Sequence, residues 1–505
     1  MSSFDFYCKN FIDGQWCSSE SSRTFEVRNP AVWSEVLHRY PKSTDKDTAR
    51  AVESASNAFA SWKSVALSEK STIMRRMCEL IREHRDQIAV TITRENGKLI
   101  SESLVEIDSA LLELEYQVGE GQRQFGTAGE SFKGGILGHS RKEPLGVVSA
   151  IIPWNFPFNV PLRKLVPALM AGNTAILKPA GQTPAVGEIV TRLFQEAGLP
   201  SGVLQFVTGS GAELSSGLVA HPKIKAVTFT GSTEVGRQIA VTAADTFTRT
   251  QLEMGGKNPL VVLADADVDA AAEAAVIGAF SCAGQWCTAT SRLIVENSVA
   301  DILVDKVIAR AKELVLGNGN DTESSMGPVC GKQQQRQILQ HIHTAKHQGA
   351  KLRLGGSQVM EGELSEGCFV EPTVFDCVDV SMDIAKEEIF GPILAIMRVE
   401  DYEAALQLAN DVPYGLSSSI FTRDIDKALH FTEHSEVGLT HVNIHSAYKE
   451  PQLCFGGYKD SGFGLPEAGS AGIQFFQEEK AIYLKKADKC EPVQSSLRVS
   501  IMSCE

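Results

Sequence analysis

The chain has 505 residues, 43% hydrophobic and 22% charged, with a formal net charge of −14. That length supports two or three domains around a large buried core, and the composition is that of an ordinary folded protein. The acidic balance leaves no basic surplus for phosphates, which argues against a nucleic-acid partner. The longest apolar stretch, Val160–Leu177, is broken by Pro161, Arg163, Lys164 and Pro167, so no membrane span is expected. The N-terminal residues lack a basic and apolar leader pattern. Eleven cysteines without a framework spacing fit reduced thiols in the cytoplasm. Cys282 and Cys287 have no clustered His or Cys partners, so no metal site is expected.

Residues 11–28 read as short strands with a turn at Asp13-Gly14, and Thr44 or Asp45 caps a helix running to Lys63. A longer helix is expected over Ser68–Glu95, with Ile73, Met77, Leu80, Ile81, His84 and Ile88 on one face and Gly97 ending it. A third, Ser101–Val118, carries Leu104, Ile107, Leu111, Leu114 and Val118, with Gly119 as its stop. Residues 122–143 change character: Gln122–Thr127 and Ile136–Lys142 read as strands about a bend at Gly134-Gly135.

From Leu145 the pattern alternates strand and helix. Strands at Gly146–Ile152, Ala175–Lys178, Val203–Val207 and Ala226–Phe229 are separated by helices at Pro161–Met170, Pro184–Ala197 and Gly211–Ala220, and Thr233–Thr242 follows. A strand-like run Thr248–Leu252 ends at Glu253; a second series begins at Pro259–Leu263 and includes Val370–Phe375, Ile393–Arg398 and Ser418–Phe421. Such alternation implies an α/β fold of two doubly wound, parallel-stranded units meeting near Gly255-Gly256. Residues from about 488 read as a loose tail.

One cysteine stands apart. Cys287 lies in Gly-Gln-Trp-Cys-Thr, between the alanine-rich helix Asp267–Ser281 and the strand Arg292–Glu296. A thiol in a loop on a rigid scaffold is well sited to react, but it attacks as thiolate and needs a base or an electropositive setting. The candidate base is Glu253, in Leu-Glu-Met-Gly-Gly-Lys-Asn-Pro. Each residue alone is weak evidence, since a lone cysteine is more often a small core residue. Pro153-Trp-Asn-Phe-Pro157 follows a strand end, where an amide side chain can donate to a developing oxyanion. Phe229-Thr-Gly-Ser-Thr-Glu-Val-Gly236 sits between strand and helix, where free N–H groups favour phosphate; its spacing is not the usual dinucleotide fingerprint, and Gly209-Ser-Gly211 imitates only half of that fingerprint.

Together these segments, from about residue 10 to 485, resemble the aldehyde dehydrogenase superfamily. The resemblance implies a cysteine nucleophile (Cys287), a general base (Glu253) and an oxyanion donor (Asn155, with the Cys287 backbone N–H), acting on an aldehyde through a thiohemiacetal and a thioester. It implies NAD or NADP as cofactor, bound by Ile151, Pro153, Trp154, Lys178, Gly181, Gly211, Phe229, Gly231, Ser232, Gly255, Glu388 and Phe390. In that family an acidic residue three positions after the lysine at 178 often accepts the ribose 2′-hydroxyl. Here that position is Gly181, so NADP is expected to serve alongside NAD. The resemblance also implies an NAD(P)-binding domain over 1–121 and 144–255 and a catalytic domain over 256–469. A bridging element, 122–143 with 470–488, would pair the hairpin with a strand in Gly472–Leu484 and mediate a homodimer or homotetramer; 489–505 is the tail.

Substrate class rests on Arg163. Its guanidinium fork matches a carboxylate, and semialdehyde dehydrogenases acting on acidic aldehydes resemble this chain there; the alternative is an arginine paired with a structural acid. Phe156, Trp286, Ser281, His445 and Ser446 complete the expected substrate pocket. Ser281 stands where succinate-semialdehyde dehydrogenases typically carry a second arginine. The loop Asn443–Cys454 is expected to form the outer pocket wall, and its length resembles that of 2-oxoglutarate-semialdehyde dehydrogenases. Rival readings are a general aldehyde dehydrogenase, a dehydrogenase that passes its thioester to coenzyme A, and a catalytically silent scaffold.

Overall fold

A computed structural model describes residues 4–132 and 134–485; the tail expected at 489–505 lies outside them. The chain begins with β1 (Asn10–Ile12) and β2 (Gln15–Cys17), followed by an antiparallel pair, β3 (Thr24–Asn29) and β4 (Val32–Pro41). α1 (Asp45–Lys63) starts at Thr44, whose backbone N–H donates to the Asp47 carboxylate at 2.8 Å.

The single helix expected over 68–95 is two, α2 (Leu67–Glu83) and α3 (Arg85–Asn96). His84 separates them at φ −106°, ψ 12°, in the sparsely allowed bridge region. No glycine or proline marks the break; the His84 ring packs against Phe4, eighty residues earlier in the chain. Gly97 ends α3 in the left-handed region at φ 96°, which glycine adopts without a Cβ penalty. α4 (Ile100–Gly121) continues through Gly119, the expected stop.

After β5 (Ala128–Glu130) and β6 (Ile136–Pro144) the alternating pattern sets in. It runs β7 (Val147–Ile151), α5 (Asn159–Met170), β8 (Thr174–Lys178), α6 (Pro184–Glu196), β9 (Leu204–Phe206), α7 (Gly211–Leu218), β10 (Ile224–Thr230), α8 (Thr233–Ala244) and β11 (Arg249–Glu253). It resumes with β12 (Asn258–Val262), α9 (Val268–Phe280) and β13 (Thr290–Glu296).

In the first sheet β9-β8-β7-β10-β11 are parallel, with β1 antiparallel at one side and Gly462–Phe463 antiparallel at the other. Strand order reverses between β7 and β10, the switch point where open α/β sheets leave a crevice. The second sheet runs Lys351–Leu354, Thr373–Asp376, Ile393–Val399, β13, β12, Ser417–Phe421, Leu439–Val442, all parallel except the first. Central strands such as β8 and β12 are buried along their whole length, as expected when helices cover both faces. Gly462–Phe463 returns late in the chain to pair with Leu252 and Glu253, so the end of β11 is held by a distant segment of sequence.

β6 pairs with Gln477–Lys485 in a small third sheet. That strand is shorter than the run expected over 472–484. Gly469–Gln474 is instead a short helix, Ile473 is enclosed in the helical core around α4 and α5, and Phe475 and Phe476 pack with Val148 and Ala168. Burial of these three side chains outweighs the β-propensity of the local sequence.

Candidate active site

Cys287 is half-buried at the end of a turn that the chain strains to make. Cys282, Ala283 and Gly284 all have positive φ, 49°, 53° and 69°. For the two non-glycine residues such geometry costs on the order of 1–3 kcal/mol each, so the surroundings must hold it. They do so from several sides. The Cys282 N–H donates to Glu102 Oε1 at 2.6 Å, and Gln285 Oε1 accepts from the Cys330 N–H at 2.8 Å. Asn258 Nδ2 donates to the carbonyls of Cys287 (2.8 Å) and Ala289 (2.9 Å). A Cβ on Gly284 would stand 2.1 Å from the Gly391 carbonyl oxygen, which explains glycine there. The Cys287 thiol packs against the apolar cluster of Leu416, Phe455 and Ala468. Burial pushes it up to about 12; Arg163 and Lys449 pull it down, while Glu388 and Glu253 oppose them.

Glu253 ends β11 and is 3% exposed. Its Oε2 accepts from the Gly457 N–H at 3.2 Å. Burial, then the nearby charge of Glu467, raises it well above the carboxylate range, while Lys164 draws it down. Lys164 is itself enclosed and forms an ion pair with Glu467.

Asn155 lies between β7 and α5, and its Nδ2 donates to the Gln285 carbonyl at 3.0 Å, two residues before Cys287. An amide carries two N–H donors, so one hydrogen remains. The Cys287 N–H donates to no acceptor among the described residues. The segment is clamped from α3 and α4. Asn96 Nδ2 donates to the Trp154 carbonyl (2.9 Å), and Lys98 Nζ to the Asn155 carbonyl (2.6 Å) and to Glu106 Oε2 (2.8 Å). Glu106 Oε1 accepts from the Phe158 and Asn159 N–H groups at 2.8 and 3.0 Å. Lys98 Nζ sits 4.2 Å from the Phe156 ring centroid. The first turns of α4 thus hold both the Asn155 segment, through Glu106, and the nucleophile turn, through Glu102.

On the cofactor side, Lys178 ends β8, and a Cβ on Gly211 would lie 3.9 Å from its ammonium. Burial pushes that ammonium down to about 8, and no acidic partner accepts from it among the described residues. A buried cation without a counter-charge, beside the start of α7, fits an anionic or hydroxyl-rich ligand. Gly181 has an ordinary φ and only the Phe25 ring at 3.7 Å from an added Cβ, so packing does not force glycine there. Ser232 caps α8, its Oγ accepting from the Val235 N–H at 3.4 Å. Glu388 Oε1 accepts from the Gly256 N–H at 3.1 Å, and a Cβ on Gly255 would stand 1.8 Å from its Oε2. Burial raises Glu388 to about 7. Phe390, at φ 57°, meets the Trp154 ring edge-on at 5.3 Å. A single cavity is lined by Trp286, Thr290, Lys257, Glu388 and Phe390 among others, so the cofactor-side segment and the nucleophile turn face one space. Ile151 and Pro153 lie half-buried at the switch-point end of β7.

Three expected roles need correction. Phe229 is 4% exposed, and its ring fills the space a Cβ on Gly231 would need (2.4 Å) and packs with Met254. It shapes the turn from within the core, and the absence of a side chain at 231 is required by that ring. Ser446 is fully enclosed; its hydroxyl donates to the Thr288 carbonyl at 2.8 Å and meets Thr290 Oγ1 at 2.9 Å, so it is spent on tying its loop to the segment after Cys287. Arg163 closes its fork on a structural acid: Nε and Nη2 donate to Glu113 at 2.8 and 2.9 Å, and Nη2 also to Asn159 Oδ1 at 2.9 Å. Its guanidinium lies 4.7 Å from the Phe455 ring centroid. Phe156 and Trp286 do come together, ring centroids 5.9 Å apart, with Ser281 half-buried at the end of α9. His445 is half-buried, and burial lowers its imidazole.

Glu102, Glu106, Glu113, Lys98, Lys164, Glu467 and Lys449 escape the reading of the sequence. Part of the signal is present in α4. Glu106, Ala110, Glu113 and Gln117 recur at spacings of four, three and four beside the apolar stripe, placing carboxylates where a helix should be buried.

A model described as the aldehyde dehydrogenase family matches residues 16–482. The chain is 40% identical over 476 residues to the alpha-ketoglutaric semialdehyde dehydrogenase of Bacillus subtilis (strain 168), covering 94% of this chain and 98% of that one. It is likewise 40% identical over 477 residues to the alpha-ketoglutarate semialdehyde dehydrogenase of Haloferax volcanii, covering 94% and 98%. Among solved structures, betaine aldehyde dehydrogenase from Staphylococcus aureus in complex with NAD+ superposes with a TM-score of 0.93 at 34% identity, covering 97% of each chain.

Proposed function

The chain belongs to the aldehyde dehydrogenase family, and we propose that it oxidises an aldehyde bearing a distal carboxylate, of the 2-oxoglutarate-semialdehyde kind, with NAD or NADP as the hydride acceptor. One observation carries the substrate class: Arg163, with Lys449 beside it on Glu113, lies 4.7 Å from the centroid of the Phe455 ring, and Phe455 belongs to the cluster on which Cys287 packs. Cations beside a nucleophile favour its thiolate and attract an acidic substrate. The two semialdehyde dehydrogenases at 40% identity support the same class.

In this reading the Cys287 thiol releases its proton to solvent, helped by the charges of Arg163 and Lys449, and the thiolate adds to the aldehyde carbon. The remaining N–H of Asn155 and the Cys287 backbone N–H donate to the oxyanion, held in place by Lys98 and Glu106 so that little reorganisation is needed. Lys178, Ser232, the Gly255-Gly256 turn, Glu388 and Phe390 would hold NAD(P), which when bound accepts the hydride. Glu253, once ionised, takes a proton from water, and the hydroxide equivalent releases the acid from Cys287 as the thioester opens. A carboxylate raised in this way is a stronger base than an ordinary one, at the cost of being ionised only at higher pH. Glu253 favours hydrolysis over transfer to coenzyme A. Residues 1–121 and 144–255 form the cofactor-binding unit in this reading and 256–469 the catalytic unit.

We propose a cytoplasmic location, in keeping with an odd number of cysteines that have no framework spacing. Self-association through the expected bridging element, whose described sheet is β5, β6 and Gln477–Lys485, is supported by Leu137, Tyr483 and Leu484, which are 55%, 76% and 51% exposed. A monomer in sedimentation velocity at micromolar concentration would remove that assignment. For the activity, initial rates are measured with NAD and NADP, without coenzyme A, on 5-oxopentanoate and on pentanal. Faster turnover of the acid at low concentration is expected. Equal kcat/KM for the two would make the chain a general aldehyde dehydrogenase, a strict coenzyme A requirement would make it an acylating one, and inactivity on both would favour the silent scaffold.

A further inference from the structure

The buried charges around the substrate side do not balance. Glu113 is 5% exposed and faces two cations, Arg163 and Lys449. Burial works against its charge, but the two cations and their hydrogen bonds outweigh it and hold it down at about 2, so two cationic side chains share one carboxylate; burial and the Arg163 charge draw the Lys449 ammonium down, a cost that an arriving anion would relieve. The other acids nearby have partners of their own. Glu467 is engaged by Lys164 and stands 3.8 Å from Arg163 Nη1, and Glu450, next to Lys449 in the chain, accepts from the Tyr448 hydroxyl.

The two cations are held differently. Arg163 is a planar fork with two N–H groups along one edge committed to Glu113, and its side chain is 6% exposed. Lys449 sits on the outer-wall loop, its side chain 29% exposed, and shares Glu113 Oε1 with Arg163 Nη2. Its flexible stem and three donors let the ammonium change partners, while Glu113 keeps the bidentate arginine. A second observation points to an anion. Asn159 Oδ1 accepts from Arg163 at 2.9 Å and from Lys449 at 3.4 Å, whereas the buried Asn159 Nδ2 has no hydrogen-bond partner. An unsatisfied buried donor beside two cations that share one carboxylate is costly unless an acceptor arrives.

We infer that Lys449, rather than Arg163, takes the distal carboxylate of the substrate, turning from Glu113 toward it, with Asn159 Nδ2 as a further donor and Arg163 as the fixed cation behind them. The location suits this. The Arg163 guanidinium lies against the Phe455 ring, and Phe455 belongs to the apolar cluster on which Cys287 packs, so the anion subsite and the reacting thiol flank one aromatic side chain. A short aldehyde with a carboxylate at its far end bridges them. The inference rests on the substrate class proposed above.

The test uses the full-length enzyme with NAD, and reads the ratio of kcat/KM for 5-oxopentanoate to that for pentanal. The wild type is expected to favour the acid, Lys449→Met to lower the ratio about 30-fold, mainly through KM for the acid, and Lys449→Arg to restore most of it. Glutarate should inhibit the wild type competitively against 5-oxopentanoate and lose about the same factor in Lys449→Met. If the wild type favours the acid and Lys449→Met keeps both the ratio and the glutarate inhibition, Lys449 merely neutralises Glu113 and the inference falls while the substrate class stands. If the wild type shows no preference, the substrate class itself falls, and the inference with it. Should Lys449→Met fail to fold, Lys449→Gln carries the same two measurements.

Discussion

At the floor of the cleft Lys98 and Lys164 are wholly enclosed, and each closes on a carboxylate, Glu106 and Glu467 respectively. On the ligand side, here the rim, the count changes, although Arg163 and Lys178 are buried too: Arg163 and Lys449 share Glu113, and on the cofactor side Lys178 has no acidic partner among the described residues. The difference separates scaffold from binding surface. A buried ion matched one-to-one is at rest, and its carboxylate is free to position backbone N–H groups, as Glu106 does for Phe158 and Asn159. A cation in excess carries a desolvation cost that a charged ligand can relieve. Floor residues should therefore affect every aldehyde alike, and rim residues should discriminate among ligands.

The strongest way to break this comparison is Lys98→Met. It leaves Glu106 buried without its cation, which costs about 3–5 kcal/mol of stability, and it frees the Asn155 carbonyl. Thermal unfolding should show the loss, and in the folded fraction kcat should fall about 100-fold for 5-oxopentanoate and pentanal together. A variant that lost activity on only one of the two aldehydes would place Lys98 at the rim. Lys98→Met with Glu106→Gln should recover stability, because the orphaned charge is gone, without recovering kcat in full.

Glu467→Gln sharpens the comparison more gently, because it alters the proton affinity of a neighbour. Glu467 and burial both raise Glu253, and Lys164 lowers it. Removing the Glu467 charge while leaving Lys164 therefore lets Glu253 ionise at lower pH. Activity that needs ionised Glu253 is lost as pH falls through its pKa, so the acid limb of the hydrolysis profile should move to lower pH. The relative rate below neutrality, normalised to each protein's plateau, should rise by up to about tenfold. Single-turnover acid release across pH reads this directly; an unmoved or upward-shifted limb would show that Glu253 does not set it.

Much of this arrangement is legible in the sequence, and what is not has a common cause. The helix caps at Thr44 and Gly97, the strand–helix alternation after residue 145, the strand end that carries Glu253, and the loop seats of Cys287 and Asn155 follow from local chemistry. The break at His84 coincides with a contact to Phe4, eighty residues away, and the short helix Gly469–Gln474 goes with burial of Ile473 against α4 and α5. Arg163 shows the limit most clearly. Its fork matches a substrate carboxylate as well as it matches Glu113, and only the packing of α5 on α4 brings Glu113, fifty residues earlier, within 2.8 Å. Local sequence describes what a side chain can bind, whereas its actual partner is set by tertiary packing.

Lys178 offers the smallest and most discriminating test of the rim. Its ammonium is buried and short of negative charge, and Gly181, three residues on, has room for a side chain with only Phe25 in van der Waals reach. Introducing a carboxylate by Gly181→Asp should supply that missing charge. A ligand carrying a 2′-phosphate then meets repulsion where it had met an unpaired cation, whereas a 2′-hydroxyl gains an acceptor. The expected result is a fall of about fivefold to tenfold in kcat/KM for NADP, with NAD changing by less than about threefold, both measured at saturating 5-oxopentanoate and low salt. If Gly181→Asp lowers NAD and NADP alike, the aspartate has disturbed the turn instead of the charge balance. Lys178 would then belong with the scaffold cations of the floor, despite having no carboxylate of its own.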